Sequence, residues 1–226
     1  MTTASHIEPF TADVRDSADA PRRDKPRPDP FVLGLPLIAA GAIALGLQLV
    51  GFVDVNSSGS PLAVLIGAGG LGLLLATVWA ASLRTVPEAS LWARGTSLPA
   101  TVLGTLATFF ISYATLVLGL AHGWLTVRPS EAQHTVALFQ ISWLVVFILL
   151  GLASVRLPAV FTALFASFAG ALALLLVSTL GPSTLAGKLA GIVALLIGVA
   201  AGYVFLAVSS RASGGREYPI GRPIAR

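Results

Sequence analysis

The sequence predicts an all-α integral membrane protein, with six transmembrane helices in a tight bundle and both termini cytoplasmic. Three observations predict it. Hydrophobic residues make up 55% of the chain and charged residues 11%, where a soluble domain carries about 25% charged. The apolar residues gather into six runs, each near the ~20 residues that a helix needs to cross bilayer hydrocarbon. When the loops are assigned alternately to the two sides, twelve of the fourteen lysines and arginines fall on one side. The positive-inside rule makes that side the cytoplasm.

The same composition excludes several kinds of chemistry. There are no cysteines, so disulfides, thiolate nucleophiles and cysteine metal sites are ruled out. The net charge is only +4, and the basic residues sit in tails and loops with no stacking aromatics between them, so nucleic acid is not an expected partner. No acidic, basic or histidine side chain lies well inside any run. No enzyme, cofactor or metal site is therefore expected.

Residues 1–28 mix Arg15, Arg22, Arg23, Lys25 and Arg27 with five acidic residues and four prolines. Such a segment cannot bury enough apolar surface to order itself and reads as a disordered cytoplasmic tail. The distance from the start to the first apolar run argues against a secretory signal. A transmembrane transport domain is expected over 29–209 and a second cytoplasmic tail over 210–226.

The first run, 31–53, opens on Asp29-Pro30. Asp29 suits an N-cap, Pro30 suits the first helical position, and Gly34 admits a close neighbouring backbone. Runs follow at 61–83, 99–121, 135–155, 157–180 and 187–208. The breaks between them have turn chemistry: Asp54 to Ser60, Arg84 to Leu98, Gly123 to His134, the tight Arg156-Leu157-Pro158, and Gly181-Pro182-Ser183.

In the third run Thr101, Thr105, Thr108, Ser112 and Thr115 recur at alternating steps of 4 and 3, which puts five hydroxyls on one helical face. They suit a pathway wall that offers hydrogen bonds to a small polar solute. They equally suit small packing residues bonded to the preceding turn. Small residues repeat with the same spacing at Ala159, Ala163, Ala166, Gly170 and Ala173, and at Gly187, Gly191, Ala194, Gly198 and Ala201. That period predicts close left-handed packing, with a face to spare for subunit contacts. His122 and His134 flank an outer loop, and Gln48, Gln140, Tyr113, Trp79, Trp143 and Tyr203 are isolated polar handles. An anion in this bundle would meet no fixed cation, which favours a weak acid that can cross protonated.

The chain resembles the acetate uptake transporter family, the succinate–acetate permeases, as a divergent member. That family opens its first helix with Asn-Pro-Ala-Pro-Leu-Gly-Leu. Here the stretch is Asp29-Pro30-Phe31-Val32-Leu33-Gly34-Leu35, so Pro30, Leu33, Gly34 and Leu35 match. Gly69-Gly70, Phe109, Trp143, Ser167 and Pro219-Ile220-Gly221 add to the likeness in order along the chain. Asp29 and Val32 depart from it, as do Leu73 and Ala80, where the family has Gln and Glu.

The resemblance implies a hexamer with one pore in each protomer, pinched by apolar residues of the first, third and fifth helices. Local register puts Ile38, Leu106 and Phe168 at the pinch. It further implies a permease of the cell membrane for small monocarboxylates such as acetate, or succinate, with or without coupled protons. Pro30, Leu33, Gly34 and Leu35 would then shape one mouth, with the Thr101 to Thr115 stripe along the way. The alternatives are a non-transporting membrane scaffold that binds a partner through residues 1–28, and a permease for another small solute such as ammonia.

Overall fold

The computed structural model describes residues 29–53, 59–82, 98–181, 183–216 and 218–224. The expected N-terminal tail and the loop arginines Arg84 and Arg94 lie outside the described residues. Among the described residues six helices are long and apolar enough to cross a membrane: α1 (Pro30–Val50), α2 (Pro61–Ser82), α3 (Leu98–Ala121), α4 (Ala132–Ala153), α5 (Ala159–Leu180) and α6 (Thr184–Ala212). The chain is a multi-pass membrane protein.

The helix ends follow from local chemistry. Asp29 accepts a hydrogen bond from the Phe31 N–H at 2.9 Å, Pro30 fills the first turn, and Gly51 closes α1 at φ +85°, where a side chain would be strained. Ser183 caps α6 by accepting from the Ala186 N–H. α6 continues to Ala212, past the expected stop at 208 and across the 209/210 boundary. Ser209, Ser210 and Arg211 are polar but do not break a helix, so the backbone keeps its bonds as it leaves the apolar slab. Gly214, at φ +73°, turns the chain just beyond its end.

α2 holds a feature the hydropathy pattern does not show. Residues Leu65–Gly72 form a π-helical stretch that includes Gly67, Gly69, Gly70 and Gly72. Each glycine gives up about 1 kcal/mol of helix propensity relative to alanine, so this is where an extra residue per turn is easiest to accommodate. The gain is contact. A Cβ on Gly69 would sit 2.8 Å from the Phe110 ring.

The helices form a ring in the order α4, α5, α6, α1, α2, α3. The α1–α6 seam is built on small residues: a Cβ on Gly46 would lie 2.8 Å from the Gly191 carbonyl oxygen, and one on Gly198 would lie 3.2 Å from that of Ala39. Gly191, Ala194, Gly198 and Ala201, four of the five residues in the predicted stripe, are buried there. Backbones this close gain dispersion contacts in place of the hydrophobic drive that lipid removes. The α5 stripe does the opposite, with Ala163, Ala166 and Gly170 exposed on the outside of the protomer.

The ring closes between α3 and α4 through large aromatics. Phe109 of α3 lies 6.1, 5.3 and 5.3 Å, centroid to centroid, from Phe139, Trp143 and Phe147 of α4. These rings hold the two backbones apart where the glycines of the other seam draw theirs together.

Candidate functional site

Both ends of the described chain meet at one end of the bundle, the end that the charge count assigns to the cytoplasm. A cavity of about 340 Å³ opens there. Its walls come from the start of α1 (Asp29), the α4–α5 turn (Arg156, Leu157, Pro158), Phe161 of α5, the end of α6 (Ala207, Val208, Arg211) and the segment after α6 (Tyr218 and residues 220–223). Among the described residues that line this cavity are three arginines, Arg156, Arg211 and Arg222, and one carboxylate, Asp29. Arginine stays charged at any physiological pH, and a cleft lined mainly by one sign concentrates the opposite ion. Burial pushes the Asp29 carboxyl up from its ordinary 3.8, and the Phe31 N–H pulls it part of the way back.

The segment after α6 folds back along this end. The Ser210 hydroxyl donates to the Arg216 carbonyl and the Tyr203 hydroxyl donates to the Pro219 carbonyl at 2.8 Å. The Ile224 N–H reaches the Val155 carbonyl at 3.1 Å, and Pro223 pairs in an antiparallel bridge with Pro158. Gly221, at φ +81°, lets the backbone pass Ala159.

Inward from the cavity the bundle becomes apolar. Phe31 of α1 meets Phe161 of α5 edge to face at 5.6 Å. At the centre Phe168 of α5 stacks on Phe147 at 4.7 Å and meets Phe109 edge-on at 6.2 Å. A void of only about 10 Å³ remains among Ala42, Leu45, Phe109, Phe168, Leu172, Ala194 and their neighbours, space for at most about one water molecule. An ionised carboxylate would be very unfavourable in such a place without a partner. In the outer half, buried Gln140 donates to the Thr179 hydroxyl at 2.8 Å, and its own side-chain carbonyl has no partner. His122 stacks on Trp124 at the outer loop, and His134 faces Glu131 at 3.6 Å, exposed.

The family description that matches this chain is GPR1/FUN34/yaaH, over residues 15–213. The chain belongs to the GPR1/FUN34/yaaH family. A solved structure of the bacterial acetate channel SatP has the same fold, with a TM-score of 0.71 and 20% sequence identity over 86% of this chain and 99% of that one. No curated protein matches the sequence.

In this member of the GPR1/FUN34/yaaH family the residues nominated from sequence divide into three groups. Pro30, Gly34 and Leu35 are buried and Leu33 is 42% exposed. None of the four lines the cytoplasmic cavity; Asp29, beside them, does. What approaches Gly34 is the Leu103 side chain of α3, not the backbone that the sequence led us to expect. Ile38, Leu106 and Phe168 are all buried in the core, but only Phe168 borders the central void.

The third group lies on the outer side of α3. Thr101, Thr108 and Thr115 are exposed, and Thr105 and Ser112 are half-buried. Thr108, Ser112 and Thr115 line a groove of about 420 Å³ on the outside of α3, with Leu74 of α2 and Phe139 of α4. Thr108 donates to the Gly104 carbonyl and Ser112 to that of Phe109. The reason is that α3 turns its bulkier face, Leu103, Leu106, Phe109 and Phe110, to the core, which leaves the hydroxyls facing outward. The sequence reading missed Arg156, Arg211 and Arg222 as a group and Phe109 as the hub of the rings. The aromatic pair Phe109-Phe110 was the available signal for the second; nothing short of the fold brings the arginines together.

Proposed function

We propose that the protein is a permease of the cell membrane that passes small monocarboxylates, acetate first among them, through the centre of each protomer. One observation carries this reading: a three-arginine cavity lies at the cytoplasmic end of a bundle whose described core is uncharged and plugged by aromatic rings. The cavity gathers anions. The rings admit a solute only when they move, and then favour one that is small and easily dehydrated. The likeness to a structure named as an acetate channel supports acetate as the first solute to test.

In this reading Phe109 and Phe168 form the constriction, with Ile38 and Leu106 packed behind them. Pro30, Gly34 and Leu35 hold the mouth of α1 in place, and Leu33 faces outward. Of the hydroxyls from Thr101 to Thr115, those of Thr108, Ser112 and Thr115 serve the outer groove of α3. The arginines favour an anion over ammonium. A proton crosses with the carboxylic acid itself, and no side chain charged at neutral pH is needed at the constriction. Protomers assemble as a hexamer, for which the exposed Ala163, Ala166 and Gly170 face of α5 offers a close-packing surface. Transport requires no catalysis and no cofactor.

The test is uptake of labelled acetate into proteoliposomes, with and without a pH gradient, beside succinate and ammonium. Acetate uptake well above that of empty liposomes is the expected result. Uptake equal to that of empty liposomes under both conditions would refute the reading. The mass of the detergent-solubilised particle tests the assembly.

A further inference from the structure

The segment Tyr218–Ile224 forms a wall of the cytoplasmic cavity without belonging to any helix. Tyr218, Ile220, Gly221, Arg222 and Pro223 all line it. The described attachments of this wall are sparse and exposed. Tyr203 holds Pro219 by one hydrogen bond, the rings of Tyr203 and Tyr218 meet edge-on at 6.3 Å, Ile224 holds Val155 by one backbone bond beside the Pro158–Pro223 bridge, and Ser210 holds Arg216 just ahead of the segment. Pro219 and Pro223 have no N–H to offer a second ladder. Gly215 and Arg216 stay bonded to Ser210 at the end of α6, so the segment starts from a fixed point, and Gly221, at φ +81°, gives it a pivot near its tip.

Its contents differ from those of an ordinary tail. Arg222 adds a third guanidinium to the Arg156 and Arg211 pair on the fixed helices and turn. Without residues 218–224 the cavity would lose one side and one of its three cations. We propose that Tyr218–Ile224 is a movable strap that closes the cytoplasmic end of the pathway and carries Arg222 into the anion-gathering cavity. Closed, it shields the cavity and completes the cationic lining; swung away beyond Arg216, it opens the mouth to the cytoplasm. A segment held by so few exposed bonds opens on its own, far more often than the helices separate. The carboxylate as the ion gathered rests on the function proposed above; the motion of the strap does not.

The absence of cysteines makes the motion directly measurable. Ala207 is buried on the cavity wall, so Ala207→Cys reports access from the cytoplasmic side to a membrane-impermeant thiol reagent. Ending the chain after Arg216 is expected to speed labelling of Ala207→Cys by about tenfold or more, since the thiol reacts only when reached. Pro158→Cys with Pro223→Cys, at bridge partners close enough for a disulfide, is expected to slow it by about tenfold when oxidised and to restore it when reduced. Equal labelling rates in the full-length, shortened and cross-linked proteins would overturn the strap.

Anion uptake in the cross-linked protein is the second readout, expected to fall on oxidation and return on reduction. Labelling that responds to the strap while no carboxylate is transported would leave the strap standing and sink the solute. Labelling that does not respond, with acetate transported normally, would do the reverse. Should the double variant fail to fold, the shortened chain alone decides.

Discussion

The two seams of this bundle solve the same problem with opposite materials. Between α1 and α6, Gly46, Gly191 and Gly198 bring backbone against backbone. Between α3 and α4, the five rings of Phe109, Tyr113, Phe139, Trp143 and Phe147 fill a wider gap. A glycine seam has no side chain to move, so it can only hold or separate. A ring seam has rotamers, and Phe168 reaches it from α5. The contrast assigns rigidity to one side of the protomer and gating to the other.

The sharpest way to break that contrast is to put a side chain into the glycine seam. A Cβ at Gly191 would lie 2.9 Å from the Val50 backbone nitrogen, an atom that cannot move aside without shifting α1. Gly191→Leu is expected to cost about 3 kcal/mol or more, at the upper end of overpacking, read as loss of the folded protein or a collapse of its melting temperature in detergent. Gly170→Leu is the control, because nothing lies within 4 Å of a Cβ there. It should leave the protomer's stability intact and change only the assembly. Equal damage from both would mean that the α1–α6 seam is not special.

On the ring seam the expected effect is on flux. Phe109→Ala removes the hub of the cluster, at a cost of about 3 kcal/mol for a buried ring. The space it leaves should raise acetate flux by about tenfold, since a constriction of this kind gates through its width and dryness. Phe109→Leu should do less of both. A stable Phe109→Ala protein with unchanged flux would move the constriction elsewhere.

These two seams were not equally legible in the sequence. The glycine seam could be read directly, because Gly187 to Ala201 repeat at the helical period and small residues have one main use in lipid. The six spans were legible for the same reason: hydropathy depends on each residue alone. The ring seam was not. Phe, Trp and Tyr in a membrane helix suit lipid, interface or core alike, and only the rotation of α3 decides which. That rotation is set by Phe110 and Leu103 packing on glycines of α2 and α1, a pairing that no single helix reveals. Which way the hydroxyl stripe faces depends on the same rotation. The arginine cavity was out of reach, since Arg156, Arg211 and Arg222 come from three separate segments.

A smaller effect separates the cytoplasmic cavity from both seams. Arg222→Gln removes one of three exposed cations and should slow acetate uptake about threefold at low salt, with the difference fading as salt screens the field. The melting temperature should not move, because exposed charges contribute little to stability. A loss of uptake that persisted in high salt would mean that Arg222 does more than gather anions.

The smallest change expected is at Asp29, and its sign is the informative part. Asp29 both caps α1 and places a carboxylate in the arginine cavity. Asn caps a helix about as well as Asp, so Asp29→Asn should keep the fold while removing a negative charge from the mouth, and acetate uptake should rise about twofold. Burial holds the Asp29 carboxyl above its ordinary 3.8 in the folded protein. A group raised on folding stabilises below its unfolded pKa, and that contribution is lost as pH rises through the folded value. The wild type should therefore give up a little stability as pH rises from below 3.8 through the raised value, and Asp29→Asn should not. Melting curves of the two proteins in detergent, taken from acid to neutral pH, should diverge in favour of Asn as pH rises. Divergence in the opposite direction would mean that the arginines hold Asp29 ionised more strongly than burial opposes it, and that the carboxylate is part of the cationic site rather than a brake on it.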